Sequence, residues 1–508
     1  MRKFLRFITQ RVVLTALLIV IQALLLFGII WKLNNYFVYF YAASVLLSLL
    51  LTLRIINNKS NPAFKIAWLI PILLFPVLGG LVYLVFGSDR TGKYIRNKMG
   101  RIEKEMQDGI SKANERSGIE KMPPDVVNQS HYISNSAHCP PYKNTTVEYL
   151  PMGEVKFERM VQELKKAKRY IFMEYFIIQE GTMWNTILDV LEEKAKEGVD
   201  VRVIYDDMGC ILTLPTGYEK TLREKGIQCQ IFNPFIPILS SHFNTRDHRK
   251  ICVIDGNVGF TGGINLADEY INGYEKHGHW KDTAILLKGE AVFSLTTMFL
   301  SMWDYLIKKE GEDYAAYYPD SWDENAQGIV QPFADNPLDD EAVGETVYLN
   351  LINKAKRYVY ITTPYLILSN EMVTAMNTAA KSGVDVRIIT PHVPDKWYVH
   401  AVSRSYYEML VEAGVKIYEY TPGFVHAKTF VVDDEYAVVG TINLDYRSLY
   451  LHFECAAWMY KASCVTDVRD DFLKTQQMSQ EITLEECRNI SIPRRLGRSV
   501  LRVLAPLM

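Results

Sequence analysis

His248-Arg249-Lys250-Ile251-Cys252-Val253-Ile254-Asp255 and His426-Ala427-Lys428-Thr429-Phe430-Val431-Val432-Asp433 are two copies of one pattern, HxKx4D, set 178 residues apart. Each leads to a small-residue turn ending in asparagine, Gly262-Gly263-Ile264-Asn265 and Gly440-Thr441-Ile442-Asn443. One HxKx4D arises easily by chance; two with the same spacing and tail imply a duplicated half-site. Side chains of an extended chain alternate with period two, so each histidine shares a face with its lysine. Cys252 and Ile254 are expected to point with Lys250, and Ile251 and Val253 the other way. Two histidines and two cations facing each other can attack and protonate a phosphodiester without a metal.

The repeat extends outward from the motif. Lys166-Ala-Lys-Arg-Tyr170 precedes a strand-like Ile171–Ile178, and Lys354-Ala-Lys-Arg-Tyr358 precedes Val359–Leu368. A helical stretch follows each, then Gly198-Val-Asp-Val-Arg202-Val-Ile204 and Gly383-Val-Asp-Val-Arg387-Ile-Ile389. Strands alternating with helices indicate α/β layers, and the β-branched runs suggest a mostly parallel sheet covered on both faces. The acidic, aromatic stretch Glu310–Asp340 separates the halves, with Gly328–Pro337 opening the second as a strand. Seven scattered cysteines without a CxxC pair fit reduced thiols better than a disulfide framework or a zinc site.

The N-terminus has a different composition. Val12–Trp31, Phe37–Leu53 and Ala67–Phe86 are apolar runs, and a crossing helix needs about 20 such residues. Pro71, Pro76, Gly79 and Gly80 in the third are tolerated in packed membrane helices. Basic residues precede the first run (Arg2, Lys3, Arg6, Arg11), precede the third (Arg54, Lys59, Lys65) and follow it (Arg90, Lys93, Arg96, Lys98). All three clusters would lie on the cytoplasmic side, which three crossings cannot satisfy. A juxtamembrane helix over Tyr94–Gly109 and an irregular linker are expected next. At the other end, Arg494, Arg498 and Arg502 oppose Leu496, Val500, Val503, Leu504 and Leu507, a basic amphipathic helix suited to an anionic bilayer surface. The net charge of −2 gives no global field for nucleic acid.

The wording around the motif carries a resemblance. Asn244-Thr-Arg-Asp-His248-Arg-Lys250-Ile with Phe260-Thr-Gly-Gly-Ile-Asn265 resembles the phospholipase D superfamily and, within it, the bacterial cardiolipin synthases. So does Pro422-Gly-Phe-Val-His426-Ala-Lys428-Thr with Asn443-Leu-Asp-Tyr-Arg447-Ser-Leu and Phe453-Glu454. Thr441 stands where serine is usual, and one apolar run precedes the usual two. The resemblance implies two phospholipase D-like α/β subdomains related by a pseudo-twofold axis, preceded by transmembrane helices. The expected divisions are an anchor over 1–88, a linker over 89–140, subdomains over 141–325 and 326–490, and a helix over 491–508.

The resemblance further implies transfer of a phosphatidyl group from one phosphatidylglycerol to another, giving cardiolipin and glycerol through a phosphohistidine. A phospholipase D or phosphatidylserine synthase is the alternative, with a nuclease behind them. His248 is implied as nucleophile and His426 as acid/base. Lys250, Lys428, Asn265 and Asn443 would hold phosphoryl oxygens, and Asp282 and Glu454 would orient the histidines. Asp255 and Asp433 complete the catalytic motif in a supporting role, since strand-end aspartates often cap turns. Tyr365, Trp397, Tyr398, Tyr406 and Tyr407 are candidates for a lipid-facing rim. No metal or cofactor is implied. The expected setting is the bacterial cell membrane, multi-pass, with the catalytic part cytoplasmic.

Overall fold

The computed structural model describes residues 11–32, 37–87, 93–113, 118–235, 244–309, 312–339 and 341–507. Arg2, Lys3, Arg6 and Arg90, invoked above for orientation, lie outside the described residues.

Two sheets form the centre. The first runs in the order Thr145–Leu150, Ala284–Gly289, Val258–Gly262, Lys250–Ile254, Tyr170–Tyr175, Asp200–Asp206, Gln228–Phe232. The second repeats its plan: Ile329–Asp335, His452–Tyr460, Tyr436–Gly440, Thr429–Val432, Tyr358–Thr362, Asp385–Pro391, Lys416–Tyr420, with Ser479–Ile482 at the edge. In each, three neighbouring strands are parallel and the rest antiparallel. The expected mostly parallel sheet is therefore corrected to a mixed one. The cause is local: Asp255 and Gly256 both take positive φ, 54° and 72°, and such a tight turn returns the chain antiparallel. The apolar composition arises because both faces are covered. Ile251 and Val253 enter the core that holds the buried helix Val292–Ile307, while Cys252 and Ile254 enter a separate core.

The linker is not irregular throughout. Helix Pro124–Ala137 is built into the second half, where Gln331 Nε2 donates to the carbonyls of Ser130 (3.1 Å) and Cys139 (2.7 Å).

The third apolar run is two helices, Pro62–Leu74 and Pro76–Phe86, of 13 and 11 residues. Phe75 (φ −129°, ψ 72°) breaks the helix just before Pro76, whose ring disfavours helical geometry in the preceding residue. The chain then folds back on itself: Trp68 and Tyr83, 15 positions apart, meet edge to face at 5.3 Å. Gly79 lies so close to Pro71 that a Cβ would stand 2.1 Å from its carbonyl oxygen. At 1.5 Å per residue neither arm reaches the roughly 30 Å of a bilayer core. Measured over the described residues, no helix is long and apolar enough to cross a membrane. The 22-residue Arg11–Lys32 and 20-residue Phe37–Ile56 include side chains outside the description.

Helix Ile492–Leu504 docks by its basic side: Arg502 lies 4.3 Å over the Tyr406 ring and Arg495 is 3.7 Å from Glu408. Ile492 (82% exposed), Leu496 (66%) and Val500 (56%) face outward.

Candidate active site

The halves exchange strands at their junction. Arg246–Asp247 pairs in parallel with His452–Phe453, and Gly423–Val425 with His279–Lys281. His248 N donates to the Phe453 carbonyl (2.9 Å) and His426 N to that of Lys281 (2.6 Å). Each histidine is thus fixed by the opposite half. The same crossing delivers the carboxylates. His248 Nδ1 lies 2.9 and 3.0 Å from the Glu454 oxygens, and His426 Nδ1 lies 2.6 Å from Asp282 Oδ2. An Nδ1–H held on a carboxylate leaves the Nε2 lone pair free to react.

The turn residues fit this arrangement. Gly263 leaves room for Asp282, whose Oδ1 would be 2.1 Å from a Cβ there. Thr441, at the equivalent position, donates its hydroxyl to Glu454. Lys250 Nζ donates to the His248 carbonyl (2.5 Å), and Lys428 makes the same bond to His426. Asn265 Nδ2 donates to Tyr270 Oη (2.7 Å) and Asn443 Nδ2 to Ser448 Oγ (3.0 Å), each keeping one amide hydrogen in reserve.

Asp255 and Asp433 do not join this site. Asp255 accepts the backbone N–H groups of Lys168, Arg169 and Tyr170 (2.7–2.9 Å), and Asp433 those of Lys356, Arg357 and Tyr358 (2.7–2.8 Å). They tie the two Lys-Ala-Lys-Arg-Tyr repeats to the ends of the motif strands. Asp433→Ala should lower the thermal midpoint, at a cost of about 2–4 kcal/mol for three orphaned donors. An unchanged midpoint measured by calorimetry would refute the capping role.

The rim is smaller than expected. Tyr406 and Tyr407 are buried, Tyr407 bonding Thr390 (2.7 Å) and Glu419 (3.2 Å), because they lie on the inward face of helix Trp397–Glu412. Trp397 (73% exposed) and Tyr398 remain outside, and Tyr365 donates to Asp395 (2.6 Å).

Electrostatics follow from burial. Desolvation, with Lys250 and Lys428 nearby, holds His248 well below its usual range; burial and Lys428 push His426 down to about 4. Burial lowers Lys250 to about 8 and Lys428 to about 7. A lysine loses its cation as pH rises through its folded-state pKa, and kcat/KM reports the free enzyme. We expect kcat/KM to fall as pH rises through about 7 to 8, and Lys428→Arg to move that limb upward. A flat profile between these values would remove the lysines from phosphate binding.

The histidines' flanks went unread in the sequence. His452 packs 5.7 Å from the His248 ring, and Trp280 5.7 Å from His426. Each lies two residues before an orienting carboxylate, a signal visible only once the carboxylates are matched to histidines. Among the described residues, His248, His452 and Glu454 are the one group whose possible metal-ligating atoms gather within 4.8 Å.

A family model described as "Cardiolipin synthase, PLD-like domain" matches residues 160–303 and 348–476. A second, "Phospholipase D-nuclease N-terminal", matches 46–88. The chain is 47% identical over 461 residues to an uncharacterized protein of Streptococcus mutans, covering 90% of this chain and 99% of that one. It is 36% identical over 455 residues to the cardiolipin synthase of Alkalihalophilus pseudofirmus, covering 89% and 90%. With the cardiolipin synthase of Geobacillus thermodenitrificans it shares 37% over 457 residues, again 89% and 90%. In fold it resembles the phosphatidylserine synthase of Haemophilus influenzae (TM-score 0.58, 14% identity, 75% of this chain, 100% of that one).

Proposed function

The chain belongs to the phospholipase D-like family of cardiolipin synthases, and on that premise we propose that it converts two phosphatidylglycerols into cardiolipin and glycerol. The supporting observation is the pair of buried histidines, each with Nδ1 on a carboxylate from the opposite half. His248 Nε2 attacks the donor phosphorus, forming a P–N bond as the P–O bond to glycerol breaks. His426, carried as the imidazolium once the anionic donor phosphodiester lies beside it and Asp282 holds its Nδ1–H, gives that oxygen its Nε2 proton. His426 then takes the proton from the acceptor's terminal hydroxyl, whose oxygen attacks phosphorus and releases His248. Lys250, Lys428, Asn265 and Asn443 bind the non-bridging oxygens, where negative charge gathers. Purified protein given phosphatidylglycerol alone should yield cardiolipin and glycerol in equal amounts. Phosphatidic acid as the main product would replace this reading with hydrolysis.

The membrane reading belongs to the same proposal. Val12–Trp31 and Phe37–Leu53 carry no charged side chain, and such uncharged apolar runs approach the roughly 20 residues that a crossing needs. The hairpin Pro62–Phe86 returns to the side it entered. Two crossings and one return place the basic residues around Arg54–Lys65 and Lys93–Lys98 on the same side, removing the parity conflict. That side is the cytoplasm of a bacterial cell, and it holds the catalytic halves. The outward Ile492, Leu496 and Val500 enter an anionic leaflet. Cysteines introduced at Asn58 and Lys93 should react from the same side of sealed vesicles; labelling from opposite sides would refute the return.

A further inference from the structure

The two half-sites share a backbone plan but differ in chemistry, and the difference falls on matched positions. Arg246 and Phe424 each lie two residues before the histidine. His452 and Trp280 each lie two residues before the carboxylate, and strand register pairs Arg246 with His452 and Phe424 with Trp280. Four residues after the asparagines stand Glu269 and Arg447. His426 is accordingly walled by Trp280, Phe424 and Tyr270, with ring centroids at 5.7, 5.8 and 5.6 Å. His248 meets one such ring, Phe176 at 5.0 Å, together with the imidazole of His452 at 5.7 Å.

The charged groups on the two flanks are also in different states. Glu269 is neutralised by Lys276 (2.7 Å) and bonded by Tyr274 (3.0 Å). Arg246 is held by Asp206 (3.5 Å) and the Asn233 carbonyl (3.2 Å). Arg447 is partly buried, and among the described residues its guanidinium has no ion pair or hydrogen bond. Neither ring nitrogen of His452 has a hydrogen-bond partner; the Glu454 oxygen nearest Nδ1 is 3.7 Å away. The charge acting most on Arg447 is the Asp445 carboxylate, whose Oδ1 is engaged by the N–H groups of Arg447 (2.9 Å) and Ser448 (3.0 Å), followed by Tyr398 of the rim and the like charge of Arg246. Arg447 acts in turn on His452, and Lys396 beside the rim on His248. With Asp445 engaged by the helix N–H groups and no ion pair formed among the described residues, a guanidinium partly withdrawn from water keeps its donors for a further anionic partner.

We propose that Arg447, with His452 beside it, forms a second anion subsite that holds the phosphodiester of the acceptor phosphatidylglycerol while its terminal hydroxyl reaches the phosphoenzyme. This inference rests on the function proposed above. That reaction uses two phosphodiesters one glycerol apart, and the lysines and asparagines account for only the reacting one. The subsite also favours a lipid acceptor over water or a neutral alcohol, since only the lipid carries the second charge.

The test is competition between acceptors. Wild-type protein, Arg447→Ala, Arg447→Lys and His452→Phe are given phosphatidylglycerol in mixed micelles with n-butanol, and cardiolipin and phosphatidylbutanol are quantified. Arg447→Ala should lower the cardiolipin-to-phosphatidylbutanol ratio by on the order of tenfold or more, the worth of a charge-assisted contact. His452→Phe should lower it less, and Arg447→Lys should recover part of it. An unchanged ratio in Arg447→Ala, or equal loss of both products in a variant that melts like wild type, would overturn the subsite while leaving the function intact. Wild-type protein that makes phosphatidylbutanol but no cardiolipin would overturn both.

Discussion

His248→Ala is expected to reduce cardiolipin formation by on the order of 10⁴-fold or more, the scale seen when one member of a catalytic unit is removed. His426→Ala should cost a similar factor with natural substrate, and the double variant little beyond either single one, since the two act as a unit. A donor that does not need acid assistance separates their roles. With a 4-nitrophenyl phosphodiester, His426→Ala should still accumulate an acid-labile phosphoramidate, whereas His248→Ala should form none. Label trapped on His426 in the His248→Ala protein would reverse the assignment. The structure explains why neither loss is compensated. Both rings are fixed through backbone and Nδ1 to the opposite half, so neither can swing into the other's position. His452 lies 5.7 Å from His248 between ring centroids, and its Nδ1 is 3.7 Å from Glu454, too far for the hydrogen bond that orients His248.

The twin motif made the duplicated half-site and its histidines and lysines readable because their spacing is local, although both histidines and Lys428 lie just ahead of the strands Lys250–Ile254 and Thr429–Val432. The order of helices and strands was readable for the same reason. Sheet direction was not: apolar β-branched runs report that both faces are covered, whereas the direction is set at Asp255-Gly256 and Asp433-Asp434, where positive φ reverses the chain. The third apolar run looked continuous because hydropathy does not register that Phe75 leaves helical geometry ahead of Pro76. Tyr406 and Tyr407, candidates for the rim, pack inside because one helix carries both an exposed Trp397 and a buried inner face. The largest gap concerns the carboxylates. Asp282 and Glu454 could be named, but which histidine each serves depends on the strand exchange between halves, and no spacing along the chain encodes that.

Glu454→Gln and Asp282→Asn are expected to lower cardiolipin formation by about 10³-fold each, and their hydrogen bonds give the reason. Glu454 accepts from His248 Nδ1 and from the Thr441 hydroxyl. Asp282 accepts from His426 Nδ1 through Oδ2 and from Thr283 N through Oδ1 at 2.7 Å. Both oxygens of each carboxylate therefore face donors. An amide has only one acceptor atom, so its NH2 must oppose either the histidine or the second donor. Facing the histidine, it selects the tautomer with the proton on Nε2, which can neither attack phosphorus nor accept a proton. Facing the second donor, it leaves two N–H or O–H groups opposed in a buried site and still lacks the charge that balances an imidazolium. Thr441→Val should partly relieve Glu454→Gln, since it removes the competing hydroxyl and frees the amide to turn its oxygen toward His248. No comparable relief exists for Asp282→Asn, because its second donor is a backbone N–H. Losses below tenfold, or a Thr441→Val background that deepens the Glu454→Gln defect, would contradict this account. The exchange also has a consequence for assembly: a half without its partner keeps its HxK but lacks the carboxylate that sets the tautomer of its histidine, so reactivity arises only where the two halves meet.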